Sequence, residues 1–284
     1  MVTDLLVVTD LDACLLDEQS YRYDAARPAL ERLAQRHIPL VLCSSKTRAE
    51  MEPLARELAA SGPFIVENGG AIVVPPGHLR RLAGRADPAG YRMVALGTAR
   101  EALVRALAEI ADLTGARVRG FSELDAADVA RLTGLDELPA RRALQREYDE
   151  PFLLEEGSEQ ALTREAARRG LRVTRGGRFH HLLGPVDKGR ALQRLVALYA
   201  AEGRRFTVVG LGDSPNDASM LQQVDRPILV PRSNGEADPA LRRALPEAEV
   251  APGPGPSGWN TAVLTVLEGG RLPPARVAPG LQGS

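Results

Sequence analysis

Five residues of this 284-residue chain have types and positions suited to joint chemistry: Asp10, Asp12, Ser44, Lys188 and Asp213. Asp10 and Asp12 follow the apolar run Leu5-Leu6-Val7-Val8, Ser44 follows Leu40-Val41-Leu42-Cys43, and Asp213 follows Phe206-Thr207-Val208-Val209 and the intervening Gly210-Leu211-Gly212. Lys188 opens the helical stretch before that last run. Three carboxylates at one sheet edge repel one another unless a divalent cation neutralises them, and an all-oxygen set with room for water and a substrate oxygen suits Mg²⁺. In Asp10-Leu11-Asp12 one carboxylate can attack phosphorus while the next protonates the leaving oxygen and later activates water. The Lys188 ammonium and the Ser44 hydroxyl would balance charge on the phosphoryl oxygens, so the chemistry expected is covalent phosphoryl transfer.

The elements that must position these groups follow from the hydrophobic pattern. The three apolar runs above and Phe64-Ile65-Val66 have the length of strands covered on both faces. Helical spacing spans Ala25 to Gln35 and Thr47 to Ala60, the second opened by the capping-box pattern Thr47-Arg48-Ala49-Glu50. Alternating β and α elements imply an α/β fold with a doubly wound, Rossmann-like parallel sheet, in which ligands bind where the strands end. After Gly84 the character changes. A strand at 92–97, a helix opened by Thr98 with Leu103, Leu107 and Ile110 on one face, helices at 125–131 and 137–146, a strand at 152–154, a helix at 159–169 and strands at 171–173 and 179–183 make an α+β unit. From Asp187 the βα alternation resumes. The expectation is a core of 1–82 and 185–284 interrupted by an inserted α+β cap domain, 83–184.

Composition bounds the partners. With 36 Lys+Arg against 37 Asp+Glu the net charge is −1, which disfavours a general nucleic-acid or membrane-surface binder. No apolar run approaches a membrane span and Met1-Val2-Thr3-Asp4 carries no basic flank, so a cytoplasmic protein is expected. Cys14 and Cys43 read as buried thiols, and Trp259 as core. Only Lys46 and Lys188 of the basic residues are lysines; a compact ammonium suits a tight phosphate or carboxylate contact.

Taken in order, Asp10-Leu11-Asp12, Ser44, Lys188 and Gly212-Asp213-Ser214-Pro215-Asn216-Asp217 resemble the motifs of the haloacid dehalogenase-like superfamily of phosphatases. The resemblance implies that Asp10 is the nucleophile and Asp12 the general acid/base. It implies too that Ser44 and Lys188 bind the phosphoryl group, and that Asp213 joins Asp10 and the Asp12 carbonyl on Mg²⁺ with Asp217 and Asn216 in support. Within that superfamily, Ser44-Ser45-Lys46-Thr47, Glu67-Asn68-Gly69-Gly70, Asp149-Glu150-Pro151-Phe152 and the 177–182 segment are similar to a family acting on sugar phosphoglycerates. That similarity implies hydrolysis of mannosyl-3-phosphoglycerate to mannosylglycerate and phosphate. The chain departs from the common pattern twice, with Ala13-Cys14 in place of Gly-Thr after Asp12 and Ser45-Lys46 in place of Gly-Arg.

Expected substrate contacts are Ser45, Lys46, Asn68, Gly69, Gly70, Glu150, Arg178, His180, His181 and Asn216. Arg178 and one histidine are the candidates for the glycerate carboxylate. Strand alternation sends His180 and His181 to opposite faces, so only one should meet a ligand. Rival readings are a phosphatase for another sugar phosphate, a phosphomutase, and a receiver domain; the Asp-x-Asp pair and the large insertion argue against the last.

Overall fold

The computed structural model describes residues 4–176 and 179–275. The chain begins with β1 (Asp4–Thr9), α1 (Arg27–Gln35) and β2 (Leu40–Leu42). It continues through α2 (Arg48–Glu57), β3 (Phe64–Val66), β4 (Ala71–Val74), β5 (Arg92–Ala95), α3 (Arg100–Thr114), β6 (Arg117–Gly120), α4 (Ala126–Thr133) and α5 (Glu137–Ala143). Next come β7 (Asp149–Glu156), α6 (Glu159–Arg168), β8 (Arg172–Gly176), β9 (Phe179–Leu183) and α7 (Lys188–Ala201). The last elements are β10 (Phe206–Gly212), α8 (Ala218–Leu221), β11 (Arg226–Leu229), α9 (Pro239–Ala244), β12 (Glu249–Val250) and α10 (Gly255–Leu267). No helix among the described residues is long and apolar enough to cross a membrane.

Two compact units result, 1–42 with 203–284, and 43–202 inserted between them in the chain. The first is a five-stranded sheet in the order β12-β11-β10-β1-β2, every neighbouring pair parallel. Leu6, Val7, Val8, Val209 and Leu211 are fully buried, as an apolar run covered on both faces requires. On α10, Trp259, Ala262 and Val263 are buried. The Trp259 indole N–H donates to Thr9 Oγ1 at 2.9 Å, and that hydroxyl donates to the Asp10 carbonyl at 2.7 Å. Trp259 is thus core, as the sequence suggests, but its polar edge fastens the end of β1.

The second unit is α+β. The capping box at Thr47 and Glu50 is formed in both directions and starts α2. In β3, β4 and β5 the chain runs as an antiparallel meander, while Ile65 also forms a parallel bridge with Cys43. Its reversal between β3 and β4 uses three consecutive positive φ values, 48° at Glu67, 57° at Asn68 and 97° at Gly69. A four-stranded antiparallel sheet, β6-β7-β9-β8, buries Phe152 and Leu182 against Leu103, Leu107 and Ile110 of α3 and Leu162 of α6. Each such side chain contributes roughly 2 kcal/mol. Thr98 does not cap α3. The helix starts one residue later, with Ala99 at the cap position and no side-chain bond, because Thr98 packs instead against the backbone of Gly184.

Candidate active site

Each unit contributes its own part of the expected set. In the first, Asp10 stands just beyond β1, and Asp213 just beyond β10, the strand paired with β1. The register Thr9↔Leu211 brings these two strand ends level. Asp10, Asp213 and Asp217, all buried, offer carboxylate oxygens within 4.8 Å of one another. Asp12, half-buried, lies in the turn after β1 and adds no carboxylate to that cluster.

Asp217 organises its own loop. Its Oδ2 accepts from the Asp213 N–H at 3.1 Å, the Ser214 N–H at 3.1 Å and the Ser214 hydroxyl at 3.2 Å. Gly212 is required beside it, since a Cβ there would lie 2.7 Å from the Asp217 Cβ. Asn216 is half-buried in the same 3-10 turn. Arg232, which the sequence reading missed, brings Nε to 3.4 Å from Asp213 Oδ2. Three clustered, buried carboxylates fit a hard divalent cation of the Mg²⁺ kind.

Cys14 takes the place of a threonine in the common pattern and sits 3.6 Å from Thr9 Oγ1, fully buried. Burial pushes its thiol well above the usual range, and the carboxylates of Asp10 and Asp213 act in the same direction, so it stays a neutral packing group. Ala13 holds φ at 57°, a conformation that a glycine adopts without strain.

In the second unit, Ser44 is fully buried directly after Cys43 and accepts from the Lys46 N–H at 3.2 Å, so the half-buried Ser45 and Lys46 lie in a tight turn before α2. Lys188 is buried at the first position of α7, whose N-cap is the Asp187 carboxylate. Asn68, Gly69 and Gly70 join these parts. The Asn68 N–H donates to the Ser44 carbonyl at 3.1 Å, and a Cβ on Gly69 would lie 2.3 Å from the Asp187 carbonyl oxygen. Gly70 packs on Tyr148 and its carbonyl accepts from Leu96 and Gly97.

Glu67, quoted in the sequence only as part of its motif, has a structural part of its own. Its carboxylate, fully buried, accepts from the Tyr148 N–H at 2.8 Å and the Glu147 N–H at 3.0 Å, tying the glycine loop to the start of β7. Burial pushes its pKa from 4.5 up to about 7, against the opposing pull of Arg146. Between those values the native state holds a proton that the unfolded chain has released. Stability from this group is therefore full below pH 4.5 and declines as pH rises through about 7. The loss is on the order of 3 kcal/mol. Chemical denaturation at pH 5 and pH 8 should show it, with a smaller difference in Glu67→Gln; identical differences in the two proteins would refute the assignment.

The cap candidates separate by strand face. Pro151 pairs with His181 and Phe152 with His180, so His181 shares a face with Asp149, and His180 one with Glu150 and Phe152. His181 Nδ1 lies 2.8 Å from Asp149 Oδ2. His180 stacks on Phe152 with centroids 5.3 Å apart, its Nε2 3.3 Å from Glu159. Both oxygens of the buried Glu150 are engaged, Oε2 by Arg100 Nε at 2.7 Å and Oε1 by the Ser122 N–H at 2.7 Å. Arg178 lies outside the described residues. Arg146 was not foreseen: its Nη1 donates to Asp149 and to the Ser45 carbonyl, both at 3.0 Å. The only sequence signal was its place three residues before Asp149.

Comparison with known proteins places the chain in a family. Residues 7–78 match the family model described as haloacid dehalogenase-like hydrolase. A Methanococcoides burtonii protein named glucosyl-3-phosphoglycerate/mannosyl-3-phosphoglycerate phosphatase is 42% identical over 92% of this chain and 97% of its own. A Persephonella marina protein of the same name is 36% identical over 93% of this chain and 97% of its own. The crystal structure of a haloacid dehalogenase-like hydrolase from Bacteroides thetaiotaomicron shares the fold, with a TM-score of 0.61 and 19% identity over 94% of this chain and 99% of that one. The parallel sheet ending in clustered aspartates and the extent of these likenesses lead to one assignment: the chain belongs to the haloacid dehalogenase-like hydrolases, as a phosphoric monoester hydrolase.

Proposed function

We propose that this protein is a Mg²⁺-dependent, cytoplasmic phosphatase that hydrolyses mannosyl-3-phosphoglycerate to mannosylglycerate and phosphate through an aspartyl-phosphate on Asp10. The observation that carries the reading is the cluster of Asp10, Asp213 and Asp217, within 4.8 Å, at the ends of paired parallel strands. The names of the two relatives support the substrate class. We assign residues 1–82 and 185–284 to the catalytic core and 83–184 to the cap.

In this reading the Asp10 carboxylate forms the bond to phosphorus as the sugar-phosphoglycerate P–O bond breaks. Asp12 gives its proton to the departing oxygen and then takes one from the water that cleaves the acyl phosphate. Ser44 and Lys188 hold the phosphoryl oxygens, Lys188 with the charge and Ser44 with a directional donor. Asp10, Asp12 through its carbonyl, and Asp213 would hold Mg²⁺, with Asp217 and Asn216 fixing the loop. The ion's contribution is charge neutralisation at the phosphoryl group. Lys46, Asn68 and the cap residues select the sugar and glycerate.

Phosphate release should be measured with Mg²⁺ from mannosyl-3-phosphoglycerate, glucosyl-3-phosphoglycerate, mannose 6-phosphate, 3-phosphoglycerate and sucrose 6-phosphate. A kcat/KM at least about tenfold higher for mannosyl-3-phosphoglycerate than for the last three supports the reading. Faster turnover of mannose 6-phosphate or sucrose 6-phosphate would replace the substrate while leaving the chemistry.

A further inference from the structure

Asp149 stands at the start of β7, wholly buried, with three side-chain partners drawn from three parts of the second unit. Its Oδ2 lies 2.8 Å from His181 Nδ1, 3.0 Å from Arg146 Nη1 and 3.2 Å from Asn68 Nδ2; its Oδ1 lies 3.1 Å from His181 Nδ1. Burial alone would raise its pKa, but its interactions with His181, with the Arg146 charge and with the Asn68 amide hold it below the usual carboxylate range. An ionised carboxylate only accepts, so Nδ1 of His181 must carry the proton, which leaves Nε2 as the ring atom available to a ligand. The two other partners adjoin residues assigned above to substrate binding: Asn68 is one of them and follows β3, and Arg146 also holds the Ser45 carbonyl.

Stability is a weak reason for such a group. Replacing a buried ionic cluster by well-packed apolar side chains is often neutral or better, whereas a carboxylate beside a histidine fixes its tautomer and its orientation. Resting on the substrate reading above, we propose that Asp149 is a positioning residue for substrate selection. It holds His181 protonated at Nδ1 and orients His181, Arg146 and Asn68 together toward the sugar-glycerate part of the substrate. Glu150, its neighbour on the opposite face, is engaged by Arg100 and Ser122 and has no share in this role.

Two readouts on the full chain test this. In ring ¹⁵N spectra of histidine-labelled protein, with the signal assigned by His181→Gln, His181 should show a protonated Nδ1, and Asp149→Asn should mix or invert the tautomers. A wild-type ring protonated at Nε2 alone would overturn the proposal. In kinetics, Asp149→Asn should lower the ratio of kcat/KM for mannosyl-3-phosphoglycerate to that for p-nitrophenyl phosphate at least about tenfold, mainly through KM. Adding His181→Gln to Asp149→Asn should cost much less than it does in the wild type. Equal losses on both substrates, or additive losses in the double variant, would reduce Asp149 to a structural role. Wild-type protein that turns over p-nitrophenyl phosphate but neither sugar phosphoglycerate would sink the substrate reading, while the ring spectra would still decide the role of Asp149.

Discussion

Asp10→Asn is expected to lower kcat by at least about 10,000-fold while the protein remains folded. The amide oxygen is a poor nucleophile, and the exchange removes one of the three clustered charges. The backbone at this position is fixed independently of the side chain, by the Thr9 hydroxyl on the Asp10 carbonyl and by Trp259 on Thr9. Phosphate release and thermal melts of the purified variant check both parts. Residual activity of a few per cent would show that Asp10 does not attack phosphorus.

Gly69→Ala should damage both the fold and the turnover, although it adds only one methyl group. Gly69 has φ of 97°, and its Cβ would lie 2.3 Å from the Asp187 carbonyl oxygen and 3.0 Å from the Lys188 nitrogen. Both contacts are backbone, so no side chain can turn aside. The φ value alone costs roughly 1–2 kcal/mol, and the collision must displace the start of α7 together with Lys188. The expected result is a Tm several degrees lower and, if Lys188 binds the phosphoryl group as proposed, a kcat reduced at least about tenfold. Gly77→Ala serves as the control, because its φ is 84° and nothing lies within 4 Å of its Cβ. If both variants lose similar stability and neither loses kcat, the close packing of Gly69 on Asp187 has no part in placing Lys188.

Much of this arrangement is legible in the sequence because it depends on where apolar runs stop. Asp10 and Asp213 directly follow buried parallel strands, and strand ends are where such sheets place polar groups. The pairing of β1 with β10, nearly 200 residues apart, cannot be read that way; it follows only from the topology. The α3 start illustrates the limit of local patterns: Thr98 has the right type for a cap, but its contact with Gly184 lies far along the chain.

The cap shows the same limit more sharply. Glu150 drew attention as a carboxylate before a proline, yet the next residue back holds the histidine, since alternation along β7 sends Asp149 and Glu150 to opposite faces. Asp149 and Arg146 become meaningful only through partners in other segments, Asn68 after β3, Ser45 before α2 and His181 on β9. No spacing in the sequence encodes those distances. Glu67 is similar: its type suggests a solvated loop, whereas the left-handed turn that it begins buries it against the start of β7.

The most direct test of the account is to find the phosphoryl group on the protein. Asp12→Asn, which should form the acyl phosphate from p-nitrophenyl [³²P]phosphate without an acid but hydrolyse it slowly, is quenched in acid during turnover and mapped by peptide. The account predicts acid-stable, hydroxylamine-labile label on the peptide that contains Asp10. Label on any other residue, or phosphate release with no labelled protein at any time, would contradict it.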